Sequence, residues 1–234
     1  MQLKIITLAA VLTLAGGIAH GATVLVTVDA DGHALPAAVV ALESIDGAPI
    51  PPPSGAHLTG VMDQHDRQFV PHVLAVEAGT AVQFPNSDNI RHDVYSFSPA
   101  KVFELPLYAG TPAQPVIFDK PGVVVLGCNI HDWMLAFIDV VPTPYFGQTD
   151  AGGAARIEDV PAGRYKLTVW APRIQAPQHT LTEQVEVTDG QFVRHYSVTL
   201  GPEPAHVHRH AESSDSGALE KLQRKFGRFR QNPP

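Results

Sequence analysis

Short runs of strand-forming residues, separated by turn residues, make up most of the chain. ATVLVTVDADGHALPAAVVALES places two such runs around an Asp-Gly turn. Others follow between FVPHVLAVEAGTAVQF and MLAFIDVV, and again in RYKLTVW and LTEQVEVTDGQFVRHYSVTL. Short strands at this spacing, bounded by Gly, Pro, Asn and Asp, are typical of antiparallel sandwiches and barrels. The pattern predicts an all-β chain.

The first residues, MQLKIITLAAVLTLAGGIAHGA, combine Lys4, an apolar run from Ile5 to Leu14, and small residues at Ala19 and Gly21. This order predicts a secretory signal peptide over residues 1–21. The apolar run is shorter than the roughly 20 residues that a membrane-spanning helix needs. We therefore expect an exported chain without a transmembrane span.

Composition and charge narrow the class of protein. The 234 residues include 21 Pro and 19 Gly, which suits two small β domains better than helices. Residues 22–200 carry 9 Lys and Arg against 19 Asp and Glu, whereas the tail from Gly201 carries 6 against 4. An acidic body argues against nucleic acid and favours cationic partners.

The tail, residues 201–234, differs from the rest. Its polar part predicts disorder and contains alternating histidines, His206, His208 and His210, which form a candidate weak secondary metal site or simply a solvated tail. The last part, ALEKLQRKFGRFRQ, predicts a basic amphipathic helix. That helix could lie on an anionic membrane surface or cover a partner, with a solvated tail as the alternative.

The chain has one cysteine, Cys128, in LGCNIHDWM. Exported proteins normally pair their cysteines, so a single thiol is either a buried inert side chain or a functional group. His131 and Met134 follow at three and six residues. Copper electron-transfer sites use a thiolate, two imidazoles and a weak thioether. The spacing therefore favours a copper site that needs one more histidine.

His92, in FPNSDNIRHDVYSF, is the best candidate for that second imidazole. It follows a turn-rich segment and begins a strand-like run, which can place it at the end of a sheet beside Cys128. A surface or capping histidine is the alternative. His65 and His72 have no partner at metal-ligand spacing, so we do not assign them to copper.

Taken in order, QFVPHVLAVEAGTAVQFPN, HDVYSF and GCNIHDWM resemble the cupredoxins, small blue copper proteins. The short Cys-x-x-His-x-x-Met spacing is similar to that of amicyanin-like rather than plastocyanin-like members. The resemblance implies a Greek-key β-sandwich over residues 51–142. It also implies one type 1 copper, with His92, Cys128, His131 and Met134 as its ligands.

Longer stretches, such as VVLGCNIHDWMLAFI, resemble cupredoxin-like proteins labelled methylamine utilization proteins. That resemblance implies periplasmic electron transfer with a c-type cytochrome or a periplasmic dehydrogenase. In the family, electrons usually pass through the exposed edge of the second histidine, here His131. Asp132 and Trp133 are therefore candidates for a docking surface, with packing under the loop as the alternative for Trp133.

The sequence departs from the family pattern at Asp93, because many cupredoxins have an asparagine after the first histidine ligand. A carboxylate at Asp93 could still tie the ligand loops together. Its negative charge near the thiolate would favour Cu(II) and lower the reduction potential.

TDAGGAARIEDVPAGRYKLTVWAP is similar to carboxypeptidase regulatory-like domains, and the opening strands resemble the start of such a domain. The resemblance implies a prealbumin-like sandwich built from residues 22–50 and 143–200, with the cupredoxin domain inserted between them. The alternative is that residues 22–50 form an extra hairpin on the cupredoxin domain. We find no Ser/His/Asp set or carboxylate pair in a motif context, so this part is assigned no chemistry.

These features together predict a periplasmic copper protein that transfers single electrons. The alternatives are a copper-binding or delivery protein that holds Cu(I), and an adaptor module of a larger complex. An enzyme is least favoured, since a copper oxidase or nitrite reductase needs a further catalytic copper site, and its histidine set is not evident.

Overall fold

The computed structural model describes residues 21–47 and 59–202, and the regular structure of this part is almost entirely strand, which confirms the all-β prediction. The strands in chain order are β1 (Ala22–Ala30), β2 (His33–Ala34), β3 (Val39–Ser44), β4 (Thr59–Val61), β5 (Asp63–His65), β6 (Gln68–Val70), β7 (Val73–Glu77), β8 (Thr80–Gln83), β9 (His92–Ser98), β10 (Lys101–Tyr108), β11 (Val116–Phe118), β12 (Gly122–Gly127), β13 (Leu135–Val141), β14 (Phe146–Gln148), β15 (Ala154–Val160), β16 (Gly163–Trp170), β17 (Thr180–Val187) and β18 (Gln191–Val198). A 3-10 turn, Pro177–His179, is the one helical element of these residues.

Three of the expected features lie outside the described residues. They are the signal peptide, the tail histidines His206, His208 and His210, and the basic segment after them. Among the residues that are described, no helix is long and apolar enough to cross a membrane.

Strands from both ends of the described chain build one two-sheet unit, here called the outer sandwich (residues 22–44 and 146–198). One sheet has the order β15-β1-β18, with β2 beside β1, and the other has the order β14-β3-β16-β17. Side chains of β1 alternate between buried and more exposed, as expected when one face of a strand meets a core. Val24, Leu42 and Leu167 belong to that core.

Residues 59–141 form a second unit, here called the inserted unit. Its sheets have the orders β10-β9-β12-β13-β7 and β11-β8-β4, and β5 and β6 make a separate hairpin. The core between them contains Phe84, Phe118 and Ile138, together with Cys128 and Met134. The fold is thus the predicted pair of β-sandwiches, and Cys128 lies at one end of the core of the inserted unit.

A small apolar cluster joins the two units. Val73 and Val141 of the inserted unit pack in one cluster with Val39 and Trp170 of the outer sandwich. The rings of Phe137 and Trp170 meet edge to face, with centroids 5.8 Å apart.

The Gln148 side chain of the outer sandwich also hydrogen-bonds to β7, an edge strand. Its Oε1 accepts from the Ala75 amide at 3.1 Å, and its Nε2 donates to the Val73 carbonyl at 3.2 Å.

Asp139 lies at this junction in unusually apolar surroundings. Side chains alternate along a strand, so Asp139 shares the face of β13 that carries Phe137 and Val141. Its cross-strand neighbours are Val123 and Ala75. Burial raises the pKa of the Asp139 carboxyl from 3.8 to about 6.

Asp139→Asn should therefore stabilise the protein at neutral pH. A carboxyl whose pKa is raised by folding is neutral in both states below about pH 4, and it opposes folding once it is ionised. The wild type should lose stability between about pH 4 and pH 6, and the variant should exceed it by about 1–3 kcal/mol at pH 7. Urea unfolding across this pH range measures the difference.

Asp189→Asn, in an exposed turn, is the matched control for the charge change. Parallel pH profiles for the wild type and Asp139→Asn would contradict the prediction.

Candidate metal centre

Strand pairing brings the predicted ligands to one end of the five-stranded sheet. β9 and β12 are antiparallel, with Tyr95 opposite Gly127, so the start of β9 lies beside the end of β12. His92 is the first residue of β9, and Cys128 follows directly after β12. The loop from Cys128 to Met134 contains the other two predicted ligands and then leads into β13.

The structure brings His92, Cys128 and His131 together. Cys128 Sγ is 3.9 Å from His92 Nδ1 and 4.0 Å from His131 Nδ1, and the three donor atoms all lie within 4.8 Å of one another. His92 and Cys128 are buried, whereas His131 is partly exposed. Met134 is buried in the same apolar cluster as Cys128, and its amide donates to the His131 carbonyl at 2.9 Å.

These separations fit a trigonal metal site. Metal bonds of about 2.0 Å to an imidazole nitrogen and about 2.3 Å to a thiolate sulfur, set at about 120°, separate the sulfur from each nitrogen by about 3.7 Å. The observed separations exceed this value by only a few tenths of an ångström. A set of two imidazoles, a thiolate and a nearby thioether matches copper better than calcium or magnesium, which prefer oxygen ligands.

The surroundings shift the pKa values of two of the donor groups. Burial raises the pKa of the Cys128 thiol, and the hydrogen bond that it donates to Asp93 raises it further. Burial lowers the pKa of His131, and the neighbouring His92 lowers it further. The imidazole of His131 is therefore kept in the neutral form that can bind a metal.

Asp93 connects β9 to the ligand loop. One of its oxygens, Oδ1, accepts from the Cys128 thiol at 3.0 Å and from the Asn129 amide at 2.8 Å, and the other accepts from the Asn129 side chain. Asp93 is buried, so these hydrogen bonds have little competition from water. No local sequence pattern marks Asn129, because its role depends on a contact across the fold.

The rim of the site is partly apolar. Trp133 is 41% exposed, and the centroid of its ring lies 5.0 Å from that of His131. Ile130 is also exposed, as is Asp132. Trp133 therefore lies beside the partly exposed His131, and Asp132 of the same loop is exposed.

Asp88 contacts His92 and is not marked by any motif in the sequence. Its Oδ2 lies 2.7 Å from His92 Nε2, on the side of the ring away from Cys128. Asp88 also belongs to a second group of potential ligands with His65 and Asp66, whose side chains are exposed. Its position four residues before His92 was the available signal, but only the fold shows that the two side chains meet.

The histidines that we did not assign to copper lie apart from the cluster around Cys128. His65 forms an exposed ion pair with Asp66 at 3.4 Å. His72 packs edge to face against Phe137, with ring centroids 5.4 Å apart, close to the junction between the units.

The outer sandwich contains a hydroxyl, imidazole and carboxylate set that the sequence did not reveal. Across the parallel pair β1 and β18, His195 Nδ1 lies 2.9 Å from Thr27 Oγ1 and His195 Nε2 lies 2.9 Å from Asp29. The His195 side chain is 63% exposed on the sheet surface, where solvent has free access to it. We assign this set no chemistry.

The site thus lies at one end of a β-sandwich, and its donor set contains two imidazoles and a thiolate. The solved structures to which the chain is similar include the Cu-containing nitrite reductase (NirK) from Thermus scotoductus SA-01, with 28% identity and a TM-score of 0.34 over 37% of this chain and 23% of that one. They also include a purple cupredoxin from Nitrosopumilus maritimus, with 21% identity and a TM-score of 0.31 over 35% of this chain and 99% of that one.

A reduced Cu(I) form of an amicyanin mutant aligns at 19% identity, with a TM-score of 0.33, over 44% of this chain and 98% of that one. This chain thus spans less than a quarter of the nitrite reductase but nearly the whole of the two smaller proteins.

The family model described as polysaccharide lyase family 4, domain II, matches residues 143–194. This is the segment in which the sequence resembles carboxypeptidase regulatory-like domains, so the match carries a different family name from the expected one. A comparison with curated proteins finds no match.

Asp93→Ala should destabilise the copper-free protein by roughly 1–3 kcal/mol, because the Asn129 amide loses its acceptor beside a buried site. Asp93→Asn should cost less, since its carbonyl oxygen can still accept from that amide. Chemical unfolding of the copper-free variants measures both values.

Asp132→Ala, an exposed acidic residue of the same loop, is the control. If it cost as much as Asp93→Ala, the connection through Asp93 would not be what stabilises the loop.

Proposed function

We propose that this protein is an exported type 1 copper protein that carries single electrons between redox partners, with His92, Cys128, His131 and Met134 as the copper ligands. The observation that carries the proposal is the buried Cys128 sulfur with two imidazole nitrogens close to it, at 3.9 and 4.0 Å. Bound copper would supply the one-electron chemistry, Cu(II) to Cu(I).

The chain's own contribution is a rigid set of ligands. Strand pairing positions His92, and the hydrogen bonds that Asn129 donates to Asp93 hold the Cys128 loop against β9. A ligand set that moves little between two metal oxidation states lowers the reorganisation that each electron transfer requires. No substrate pocket is needed for this task, so we propose a carrier rather than an enzyme.

The surface suggests where a partner would dock. His131 is partly exposed beside the Trp133 ring, Asp132 of the same loop is exposed, and the body of the protein is acidic. An aromatic side chain beside charged ones is suited to a transient partner of opposite charge. A c-type cytochrome or a periplasmic dehydrogenase is the partner that we propose, with the periplasm as the location.

Addition of Cu(II) to the purified protein should produce an intense thiolate-to-copper absorption band in the visible spectrum. Cys128→Ser should abolish the band, because a hydroxyl cannot supply the charge-transfer donor. His72→Gln should retain it, since His72 packs against Phe137 instead of facing Cys128. A colourless complex that binds only Cu(I) would reject electron transfer in favour of copper delivery.

Asp93→Asn should raise the reduction potential of the copper protein. Removing a negative charge near the Cys128 sulfur disfavours Cu(II), while the amide keeps an acceptor for Asn129. Protein-film voltammetry of the wild type and of Asp93→Asn measures the difference in reduction potential.

Asp119→Asn removes the same charge from a surface ion pair with Lys101 and should change the potential less. Equal potentials for the wild type and Asp93→Asn would refute the charge argument.

A further inference from the structure

The Asp88 carboxylate connects the hairpin formed by β5 and β6 to the His92 ring. Asp88 Oδ1 accepts from the Asp66 amide at 2.7 Å, and Oδ2 accepts from the Arg67 amide at 2.9 Å. The same Oδ2 is 2.7 Å from His92 Nε2. One side chain thus joins the turn of a hairpin to a predicted metal ligand.

The backbone of the turn explains why its amides point at Asp88. Asp66 and Arg67 are the two residues between β5 and β6, and both have positive φ, at 52° and 56°. This is the conformation of the two-residue turn that best matches the twist of paired strands. Two successive amides that point to one side form a concavity that binds an anion, and the Asp88 carboxylate occupies it.

Further hydrogen bonds hold Asp88 from its own segment. The Asp88 amide donates to Asn86 Oδ1 at 3.0 Å, and Asn86 Nδ2 donates to the carbonyls of Ile90 and Tyr108, each at 2.9 Å. Asn86 is itself buried. The carboxylate is therefore fixed before any metal binds.

A fixed carboxylate determines the state of the His92 ring. An ionised carboxylate accepts hydrogen bonds and has no hydrogen to donate. The hydrogen between Asp88 Oδ2 and His92 Nε2 must therefore be on Nε2. Nδ1 then presents its lone pair on the side of Cys128 Sγ, 3.9 Å away. His92 is fully buried, so water does not compete for either nitrogen.

We propose that Asp88, held by the turn amides of Asp66 and Arg67, is the positioning residue that sets the tautomer and orientation of His92. The hairpin is then part of the metal centre although it supplies no ligand. A carboxylate behind a ligating imidazole makes that imidazole a stronger donor. This inference rests on the proposed copper function, but its first consequence concerns the copper-free protein.

The first test is the tautomer of His92 in the copper-free protein, measured from the nitrogen chemical shifts of the imidazole. The wild type should show hydrogen on Nε2 alone. Asp88→Ala should give a mixture of tautomers, since the fixed acceptor is gone. Hydrogen on Nδ1 in the wild type would overturn the proposal without any variant, as would an unchanged pure tautomer in Asp88→Ala.

The second test is copper affinity, measured by titration with Cu(II) alone. Asp88→Asn is nearly isosteric, but its side-chain amide has one accepting oxygen where the carboxylate has two. It therefore cannot accept from both turn amides and from His92. Its dissociation constant should rise roughly 10- to 100-fold. Asp119→Asn is the matched control, because it removes the same charge from an exposed ion pair with Lys101; its affinity should stay within about twofold of the wild type.

The two proposals fail in different ways. A wild-type protein that binds no copper but shows the Asp88-dependent tautomer would reject the copper function and support the positioning of His92. Copper binding with equal affinity in the wild type and Asp88→Asn would overturn the role of Asp88 and leave the copper function standing.

Discussion

The candidate metal centre depends first on the antiparallel pairing of β9 with β12. That pairing places the first residue of one strand next to the residue that follows the other, so His92 and Cys128 meet although they are 36 positions apart. The loop from Cys128 to Met134 needs only to turn back into β13 to bring His131 to the same point. Because both strands lie inside a five-stranded sheet, the positions of these ligands are set by the whole core rather than by the loop alone.

Each of the candidate ligands His92 and Cys128 has its own carboxylate. Asp93 lies against the Cys128 sulfur from β9, and Asp88 lies behind the His92 ring from the segment before β9. The two carboxylates are held differently, one by the ligand loop itself and the other by a distant hairpin turn. Ligand geometry and local charge are consequently determined by residues that a list of four ligands leaves out.

The sequence was sufficient for those parts of the site that are local. Cys128, His131 and Met134 lie within seven residues, so their spacing alone indicated a shared site, and the turn before a strand indicated His92. Alternation and turn residues were likewise enough for the all-β class. Asp88 and Asn129 could not be predicted, since only hydrogen bonds across the fold distinguish them from the other polar residues of the chain. The pairing of β1 with β18 joins residues such as Thr27 and His195, 168 positions apart, for which no local pattern exists.

The side chain of Gln148 has a consequence for how these molecules behave at high concentration. By bonding to both an amide and a carbonyl of β7, it occupies hydrogen-bonding groups that an edge strand would otherwise offer to a strand of another molecule. Unpaired edge strands are the usual sites at which sheets of separate molecules join. The outer sandwich, whatever else it binds, thereby protects one edge of the inserted unit from sheet-to-sheet self-association.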